Sequence, residues 1–233
     1  MSLVETRNLV KYFSDVVALK GINLSLEEGK IIGLLGPNAS GKTTLIKVLV
    51  GLLKEYQGEV FVDGQDLGVH TKEIVSYLPD GDHIFPRYTV NQCIDFYKTF
   101  FNDFNESKAV DLINMFSIPL NKQIKHLSKG TIEKVQLVLT LSREAKLYIF
   151  DEPIAGVDPA TRDLIFDLIL NHYNKGSSIL ISTHLIYDVE PILDDVIFIK
   201  EGNIVLHKDK VDVVAEYGSV EGAFKEMFKW SIK

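Results

Sequence analysis

Residues 36–43 carry the most specific chemical pattern in this sequence. Their letters, GPNASGKT, fit the spacing G-x-x-x-x-G-K-[ST] and stand between an apolar run and a helical pattern. In such a loop, glycines let backbone N–H groups converge on phosphate oxygens, and the following helix directs its positive N-terminal end at the same anion. Lys42 is placed to reach the β- and γ-phosphates of a nucleotide, and the Thr43 hydroxyl to ligate Mg²⁺. An ordinary glycine-rich turn is the alternative interpretation.

We therefore expect this loop to bind ATP together with Mg²⁺. The residues expected to contact the nucleotide are Gly36, Asn38, Ala39, Ser40, Gly41, Lys42, Thr43 and Thr44. If the backbone at Ala39 needs a positive φ, its methyl group costs about 1 kcal/mol, because that region favours glycine.

Two adjacent carboxylates end a second apolar run. Asp151 and Glu152 follow residues 147–150, and a buried strand delivers its last side chains to the sheet edge where ligands bind. Asp151 suits a Mg²⁺ ligand, because hard cations take oxygen ligands. Glu152 suits a base that orients water for attack on the γ-phosphate. His184 also ends an apolar run, and a donor there can sense the γ-phosphate. We predict Lys42, Glu152 and His184 as the catalytic residues. In the simpler interpretation Asp151 and Glu152 only cap a strand and start a turn, and His184 is a structural or exposed histidine.

The hydrophobic patterns indicate a scaffold that could gather these residues. Apolar and alternating runs predict strands over 16–26, 31–35, 57–63, 147–150, 178–182, 196–200 and 203–207. Helical spacing predicts helices over 43–53, 89–101, 106–116, 131–145, 160–174, 209–217 and 219–230. Strands that alternate with helices indicate an α/β fold with a mainly parallel sheet covered on both faces.

The order of these elements also predicts how the chain is divided. We expect one domain over 1–233, with a catalytic α/β core at about 1–86 and 146–208. A helical subdomain at about 87–145 is inserted into that core, and C-terminal helices at about 209–233 pack on it.

Composition narrows the class of protein. The 233 residues carry a net charge of −7, which argues against nucleic acid as a partner, because that role needs a basic surface. The single cysteine, Cys93, cannot form an internal disulfide, which favours a reducing cytoplasm. Neither a cleavable signal nor an apolar run of about 20 residues is present, so any membrane-spanning part must come from another subunit.

Taken together, these residues resemble the ATP-binding domain of ABC transporters over nearly the whole chain. Residues 36–43 and 151–152 match the Walker A and Walker B motifs of that family, and 127–131, LSKGT, stand where it has its LSGGQ signature. Residues 156–158 resemble its D-loop, and 182–184 its switch histidine. Residues 11–13, ahead of the first predicted strand, match the segment whose aromatic ring stacks on adenine, here Phe13. The alternative is that Phe13 is a core residue.

The resemblance implies a P-loop NTPase (RecA-like) core with an N-terminal antiparallel β subdomain and an inserted helical subdomain. It also implies a partner: a second ATP-binding subunit, as a homodimer or heterodimer, paired head to tail. Ser128, Gly130 and the start of the following helix would then bind the γ-phosphate held by the other subunit. A plain helix cap at Ser128 is the alternative.

Four positions depart from the family pattern. Ala39 and Lys129 replace glycines, Thr131 replaces glutamine, and Asp80 stands where the Q-loop usually has glutamine. Asp80 keeps an oxygen ligand for Mg²⁺, but it is shorter than glutamine and charged. Signatures of the LSKG type and an acidic Q-loop residue recur in ATPases of bacterial ABC-2-type exporters, so the resemblance favours export.

The leading hypothesis is an ATPase subunit that works at the inner face of the cell membrane through a separate membrane-spanning permease. Aromatic residues just after Asp80 would help to receive that partner where they are exposed, with core packing as the alternative for most of them: Phe85, Tyr88, Phe96 and Tyr97. A soluble ABC-type ATPase for assembly or DNA repair is a second hypothesis, although the long coiled coils of repair ATPases are missing. A nucleotide-binding regulator without turnover is a third, weakened by the intact Lys42, Asp151, Glu152 and His184.

Overall fold

The computed structural model of the protein describes residues 2–81 and 83–229. Ten strands lie in these ranges: β1 (Ser2–Phe13), β2 (Val16–Glu27), β3 (Ile31–Leu35), β4 (Gln57–Val62), β5 (Gln65–Asp66), β6 (Val75–Leu78), β7 (Leu147–Asp151), β8 (Ser178–Thr183), β9 (Asp195–Lys200) and β10 (Asn203–Asp209). They are joined by nine α-helices: α1 (Lys42–Leu49), α2 (Val69–Ile74), α3 (Val90–Phe100), α4 (Glu106–Met115), α5 (Lys129–Leu141), α6 (Pro159–His172), α7 (Ile186–Val189), α8 (Lys210–Tyr217) and α9 (Val220–Met227). None of the helices in the described ranges is long and apolar enough to cross a membrane.

The central sheet has six strands in the order β10-β9-β3-β8-β7-β6, and only the β10–β9 pair is antiparallel. Alternate side chains of its strands enter two different cores. In β7, Leu147 and Ile149 face one core, whereas Tyr148 and Phe150 face the other. A strand covered on both faces is mostly apolar, which explains why this run contains no charged residue before Asp151.

The first core lies between the central sheet, α1 and an antiparallel sheet of order β2-β1-β4-β5. In β1 the inward residues Val4 and Leu9 are fully buried, and they contact the same cluster as Leu45 and Ile46 of α1. Each such side chain contributes about 1.5–3 kcal/mol by leaving water. The packing of this sheet fixes α1, and with it the loop that precedes α1.

The helices α3, α4 and α5 lie between β6 and β7 in the chain and cover the other core. The N-termini of these helices are capped by Thr89, Asn105 and Ser128, whose side-chain oxygens accept backbone N–H groups of the first turn. The thiol of Cys93 is buried in this block, and burial raises its pKa to about 11.

A buried arginine ties the helical block to the central sheet. Arg143 is 3% exposed, and its guanidinium makes hydrogen bonds of 2.8 and 3.0 Å to the two carboxylate oxygens of Asp103. It also donates to the carbonyl oxygens of Val75 and Glu73, at 2.7 and 2.6 Å, and lies 3.9 Å from the ring centroid of Phe101. These bonds satisfy a cation that burial would otherwise penalise.

Several predicted boundaries are wrong. Residues 11–13 do not precede the first strand but end β1, because the chain turns at Ser14, with φ 50°, and pairs with β2. The helix predicted over 43–53 ends at Leu49, before the left-handed Gly51. The helix predicted over 131–145 begins at Lys129 and ends at Leu141, because residues 142–145 turn to bring Arg143 to Asp103.

The remaining differences are smaller. The helix predicted over 160–174 runs from Pro159 to His172, and the strand predicted over 203–207 continues to Asp209. The helix predicted over 219–230 ends at Met227, and Trp230 lies outside the described residues. The strand β1 and the short elements β5, α2, β6 and α7 were not predicted.

Candidate active site

The parallel strands bring the predicted site residues to one edge of the central sheet. The loop 36–41 follows β3, Glu152 follows β7, His184 follows β8, and Asp80 follows β6. All four strands run parallel, so their carboxyl ends meet at the same edge. This is the edge at which open α/β sheets bind ligands.

The loop between β3 and α1 depends on small residues. A Cβ at Gly36 would lie 2.5 Å from the carbonyl oxygen of Ile199, so no larger residue fits there. Gly41 has φ 111°, a conformation that L side chains rarely adopt. Ala39 also has a positive φ, 62°, so the strain anticipated from its methyl group is present.

Lys42 is buried at the start of α1 and turned back over the loop. Its side chain is 5% exposed, and Nζ donates to the carbonyl oxygens of Gly36 and Pro37 at 2.8 and 3.2 Å. Nζ also lies 3.2 Å from Oε1 of Glu152. The ammonium is thus held between the loop and the end of β7, where an incoming phosphate would compete for it.

Glu152 connects Lys42 to His184. Its other carboxylate oxygen, Oε2, lies 3.0 Å from His184 Nδ1. The backbone of Glu152 has φ 50°, and its N–H donates to the carbonyl oxygen and to Oγ of Ser182, at 3.0 and 3.1 Å. These bonds fix the turn after β7, so the carboxylate points at the loop as a proton acceptor must.

Asp151 lies deeper than Glu152 and is 1% exposed. Its Oδ1 accepts hydrogen bonds from Thr43 Oγ1 at 3.2 Å and from Ser182 Oγ at 2.5 Å. Burial raises the pKa of this carboxyl, the hydrogen bonds from Ser182 and Thr43 lower it, and the nearby charge of Asp80 raises it. Asp80 itself is exposed.

The surroundings of Asp151 fit a divalent cation. Its second oxygen, Oδ2, is buried and has no hydrogen-bond partner within the described part of the chain. A cation beside Thr43 would supply that missing partner. Within the same ranges, no group of three or more His, Cys, Asp or Glu residues could hold a metal by itself. Mg²⁺ suits such a place, because it is commonly bound by one or two carboxylates together with substrate phosphates.

An open cleft of about 740 Å³ lies over the loop, in the size range of small-molecule sites. Its wall includes Phe13, residues 38–44, Asp80, Glu152 and His184. Phe13, rather than Tyr12, borders this cleft; its ring is 46% exposed and lies 5.1 Å from the ammonium of the buried Lys11. The alternative interpretation of Phe13 as a core residue is therefore wrong.

Ser128 and Gly130 do not border this cleft. The Ser128 hydroxyl accepts the backbone N–H of Thr131 at 3.3 Å and lies 2.7 Å from the Thr131 hydroxyl, so it caps α5 as the simpler interpretation expected. Gly130 is exposed, and a Cβ there would meet nothing within 4 Å. The fold of this chain does not require a glycine at that position, and a role toward another subunit stays a prediction.

Two parts of the site were missed by the sequence reasoning. Ser182 holds both Asp151 and the turn at Glu152, but serine in a strand gives no local signal of such a role. The turn between β9 and β10 also borders the cleft, and the Gly202 N–H donates to the carbonyl oxygen of Ser40 at 2.9 Å. The hairpin had been predicted, but its position beside the loop follows from the sheet order.

Comparison with known proteins identifies similar proteins along the whole chain. The model of the family described as ABC transporter matches residues 19–155, more than half of the chain. The ABC transporter ATP-binding protein YtrB of Bacillus subtilis is 29% identical and covers 95% of this chain and 77% of its own length. The uncharacterized ABC transporter ATP-binding protein MJ1023 of Methanocaldococcus jannaschii is 31% identical, covering 96% and 80%. The SkfA peptide export ATP-binding protein SkfE of Bacillus subtilis is 29% identical, covering 88% of each.

A solved structure of the ATP-binding subunit of an ABC transporter superposes with a TM-score of 0.88 at 24% identity. The match covers 98% of this chain and all of the other. At this low identity, the likeness is evidence for the fold alone. The predicted fold class, an α/β P-loop NTPase core with an antiparallel N-terminal sheet and an inserted helical part, is confirmed.

Proposed function

Since this chain belongs to the ABC transporter family and is an ATP-hydrolysing subunit of that family, we propose that it works in a head-to-tail dimer. In this proposal the dimer hydrolyses ATP–Mg²⁺ to drive export through a separate membrane-spanning permease. The single observation that carries it is the chain of contacts from Lys42 through Glu152 to His184 beside the phosphate loop.

Each side chain of that cluster has a distinct part in ATP hydrolysis. Lys42 leaves the loop carbonyls and Glu152 when phosphates arrive, and its charge then stabilises them. Glu152, released from Lys42, accepts a proton from the attacking water, while His184 keeps its carboxylate oriented. Thr43, Asp151 and Asp80 would hold Mg²⁺, which supplies positive charge to the phosphate oxygens.

The proposed dimer is supported by the exposed N-terminus of α5, which has no role in the fold of this chain beyond its own cap. The start of α5 is exposed, and Gly130 leaves room there for close approach of another molecule. The N–H groups in a first helical turn lack partners within the helix, and those ahead of the Thr131 N–H, which Ser128 accepts here, suit an anion. We therefore assign Ser128 and Gly130 to the γ-phosphate of ATP bound by a second ATP-binding subunit.

The permease is assigned to the aromatic surface that follows Asp80. Phe85, Tyr88 and Phe100 are exposed, Phe96 is half-buried, and their rings contact one another with centroids 4.5–6.5 Å apart. Tyr97 turns inward instead and packs on the core. Exposed, contiguous aromatic rings mark interaction sites, so we propose that the subdomain at about 87–145 carries the contact with the permease. This contact would hold the subunit at the inner face of the membrane.

The direction of transport is inferred from relatives. SkfE is described as a peptide export protein, and SrtF of Streptococcus pyogenes as a lantibiotic transport ATP-binding protein. These descriptions agree with the LSKG signature and the acidic residue at position 80, and together they favour export for this chain.

The test is Glu152→Gln, with Glu28→Gln as the control, because Glu28 is exposed and does not border the cleft. Loss of the base should lower ATP hydrolysis by about 10²- to 10⁴-fold. The bound ATP should then persist and hold two chains together, as measured by light scattering after gel filtration in ATP–Mg²⁺. The Glu28→Gln protein should hydrolyse ATP normally. A Glu152→Gln protein that stays monomeric at saturating ATP–Mg²⁺ would refute the dimer.

A further inference from the structure

We propose that Gln136 is a positioning residue for ATP turnover, because its side-chain amide connects α5 to the loop that follows β6. The inference rests on the proposed function, in which α5 presents Ser128 and Gly130 to a second subunit. It adds a side chain that belongs to none of the motifs recognised in the sequence.

The geometry of Gln136 is unusual for a residue in the middle of a helix. It is 3% exposed on the inner face of α5, yet its amide leaves the helix. Nε2 donates to the carbonyl oxygen of Gly81 at 3.3 Å and lies 2.9 Å from Nδ1 of His83. Burying a primary amide costs free energy unless it is hydrogen-bonded, so these contacts hold the loop as well as the amide.

The same contacts determine the form of His83. Because the amide nitrogen can only donate, Nδ1 of His83 must accept, and the ring proton then sits on Nε2. Nε2 lies 3.4 Å from the hydroxyl of Tyr97 on α3, which completes a polar bridge from α5 through the loop to α3. We call Gln136, His83 and Tyr97 the amide bridge.

The packing between α5 and residues 80–81 is incomplete. A cavity of about 90 Å³ separates them, with Asp80 and Gly81 on one side and Gly130 and Leu137 on the other. Next to this cavity, the hydrogen bonds of Gln136 are the contacts that connect α5 to Gly81 and His83.

The two ends of this connection lie at the two parts of the proposed ATP site. Asp80, which borders the phosphate cleft, directly precedes Gly81. Ser128 caps α5 eight residues before Gln136, about 12 Å along the helix axis. The amide bridge therefore couples the position of Asp80, at the nucleotide bound by this chain, to the position of the N-terminus of α5. That N-terminus is the part of this chain assigned to the nucleotide of the other subunit.

Gln136→Met tests this, because methionine keeps the length and shape of the side chain and removes the donor. We expect kcat for ATP hydrolysis to fall by about 10- to 100-fold, because misplacing a catalytic group costs this much even when the substitution lies far from the reacting atoms. The Kd for ATP should change by less than about twofold, because the phosphate loop is untouched. Thr140→Val is the control: Thr140 is also buried on α5, but its hydroxyl donates only within the helix, to the Gln136 carbonyl.

His83 gives a second test at a less buried position. His83→Asn keeps an acceptor where Nδ1 stands and should retain most of kcat, whereas His83→Leu should behave like Gln136→Met. The inference is overturned if Gln136→Met and Thr140→Val lower kcat equally, or if His83→Asn and His83→Leu do not differ. Ser128→Arg separates the two proposals. Lost turnover in Ser128→Arg with normal turnover in Gln136→Met rejects the bridge alone, and full turnover in Ser128→Arg rejects the paired site.

Discussion

Replacing Ala39 by glycine should stabilise this protein, although the change removes a methyl group and adds backbone freedom. Ala39 has φ 62° in the phosphate loop, and its side chain is exposed. Two opposing effects decide the outcome. An L residue in the left-handed region costs about 1–2 kcal/mol, whereas glycine loses about 0.5–1 kcal/mol more conformational entropy on folding.

The net effect follows from the position of the methyl group. Because Ala39 is exposed, removing its Cβ forfeits little buried apolar area. The free energy of unfolding should therefore rise by about 0.5–1 kcal/mol. In a chain of 233 residues, this corresponds to an increase in Tm of about 1–3 °C.

Thermal and urea unfolding of the nucleotide-free protein measure this change, and Ala215→Gly provides the control. Ala215 is also exposed, but it lies inside α8 in helical conformation, where glycine costs about 0.5–1 kcal/mol. The same substitution should thus shift Tm in opposite directions at the two positions. If both variants lose stability, strain at Ala39 does not exist in solution and the reasoning fails.

Two further predictions concern buried charges. Arg143→Met should lower the free energy of unfolding by about 3–5 kcal/mol in urea titrations, because it leaves the Asp103 carboxylate without its cation; a loss below about 1 kcal/mol would contradict this. Burial raises the pKa of Asp151 in the folded protein, so ionisation of this carboxyl lowers the free energy of unfolding. This loss of stability develops as the pH rises from the pKa of Asp151 in the unfolded chain to its pKa in the folded protein. It is complete above the folded pKa. Asp151→Asn should therefore raise Tm of the nucleotide-free protein at neutral pH and lose the extra stabilisation by ATP–Mg²⁺; a lower Tm at neutral pH would be the contrary result.

The positions of the candidate site residues could be predicted from the sequence where a residue lies at a strand end, and their roles stay predictions. Asp151 ends β7, His184 follows β8, and the loop before Lys42 follows β3, and the parallel order of these strands brings their ends together. The hydrogen bonds among these residues could not be predicted from short segments of the sequence. The Ser182–Asp151 hydrogen bond depends on the register between β7 and β8, which no short segment specifies.

The boundary errors have the same origin. Residues 142–145 have helical spacing, but Arg143 gains more from a carboxylate, carbonyls and an aromatic ring than from another helical turn. Ser128 had two interpretations, and a single subunit displays only the helix cap. The second interpretation concerns a partner, so it needs an experiment on the pair.

The burial of Cys93 has a practical consequence for such experiments. With a pKa of about 11, only about one thiol in 10⁴ is ionised at pH 7, and its sulfur is covered by the helical block. Maleimide dyes should therefore spare the native protein, so cysteines can be introduced on the surface for distance measurements without removing this one. The slow reaction that does occur at Cys93 would report how often the helical block opens, with and without nucleotide.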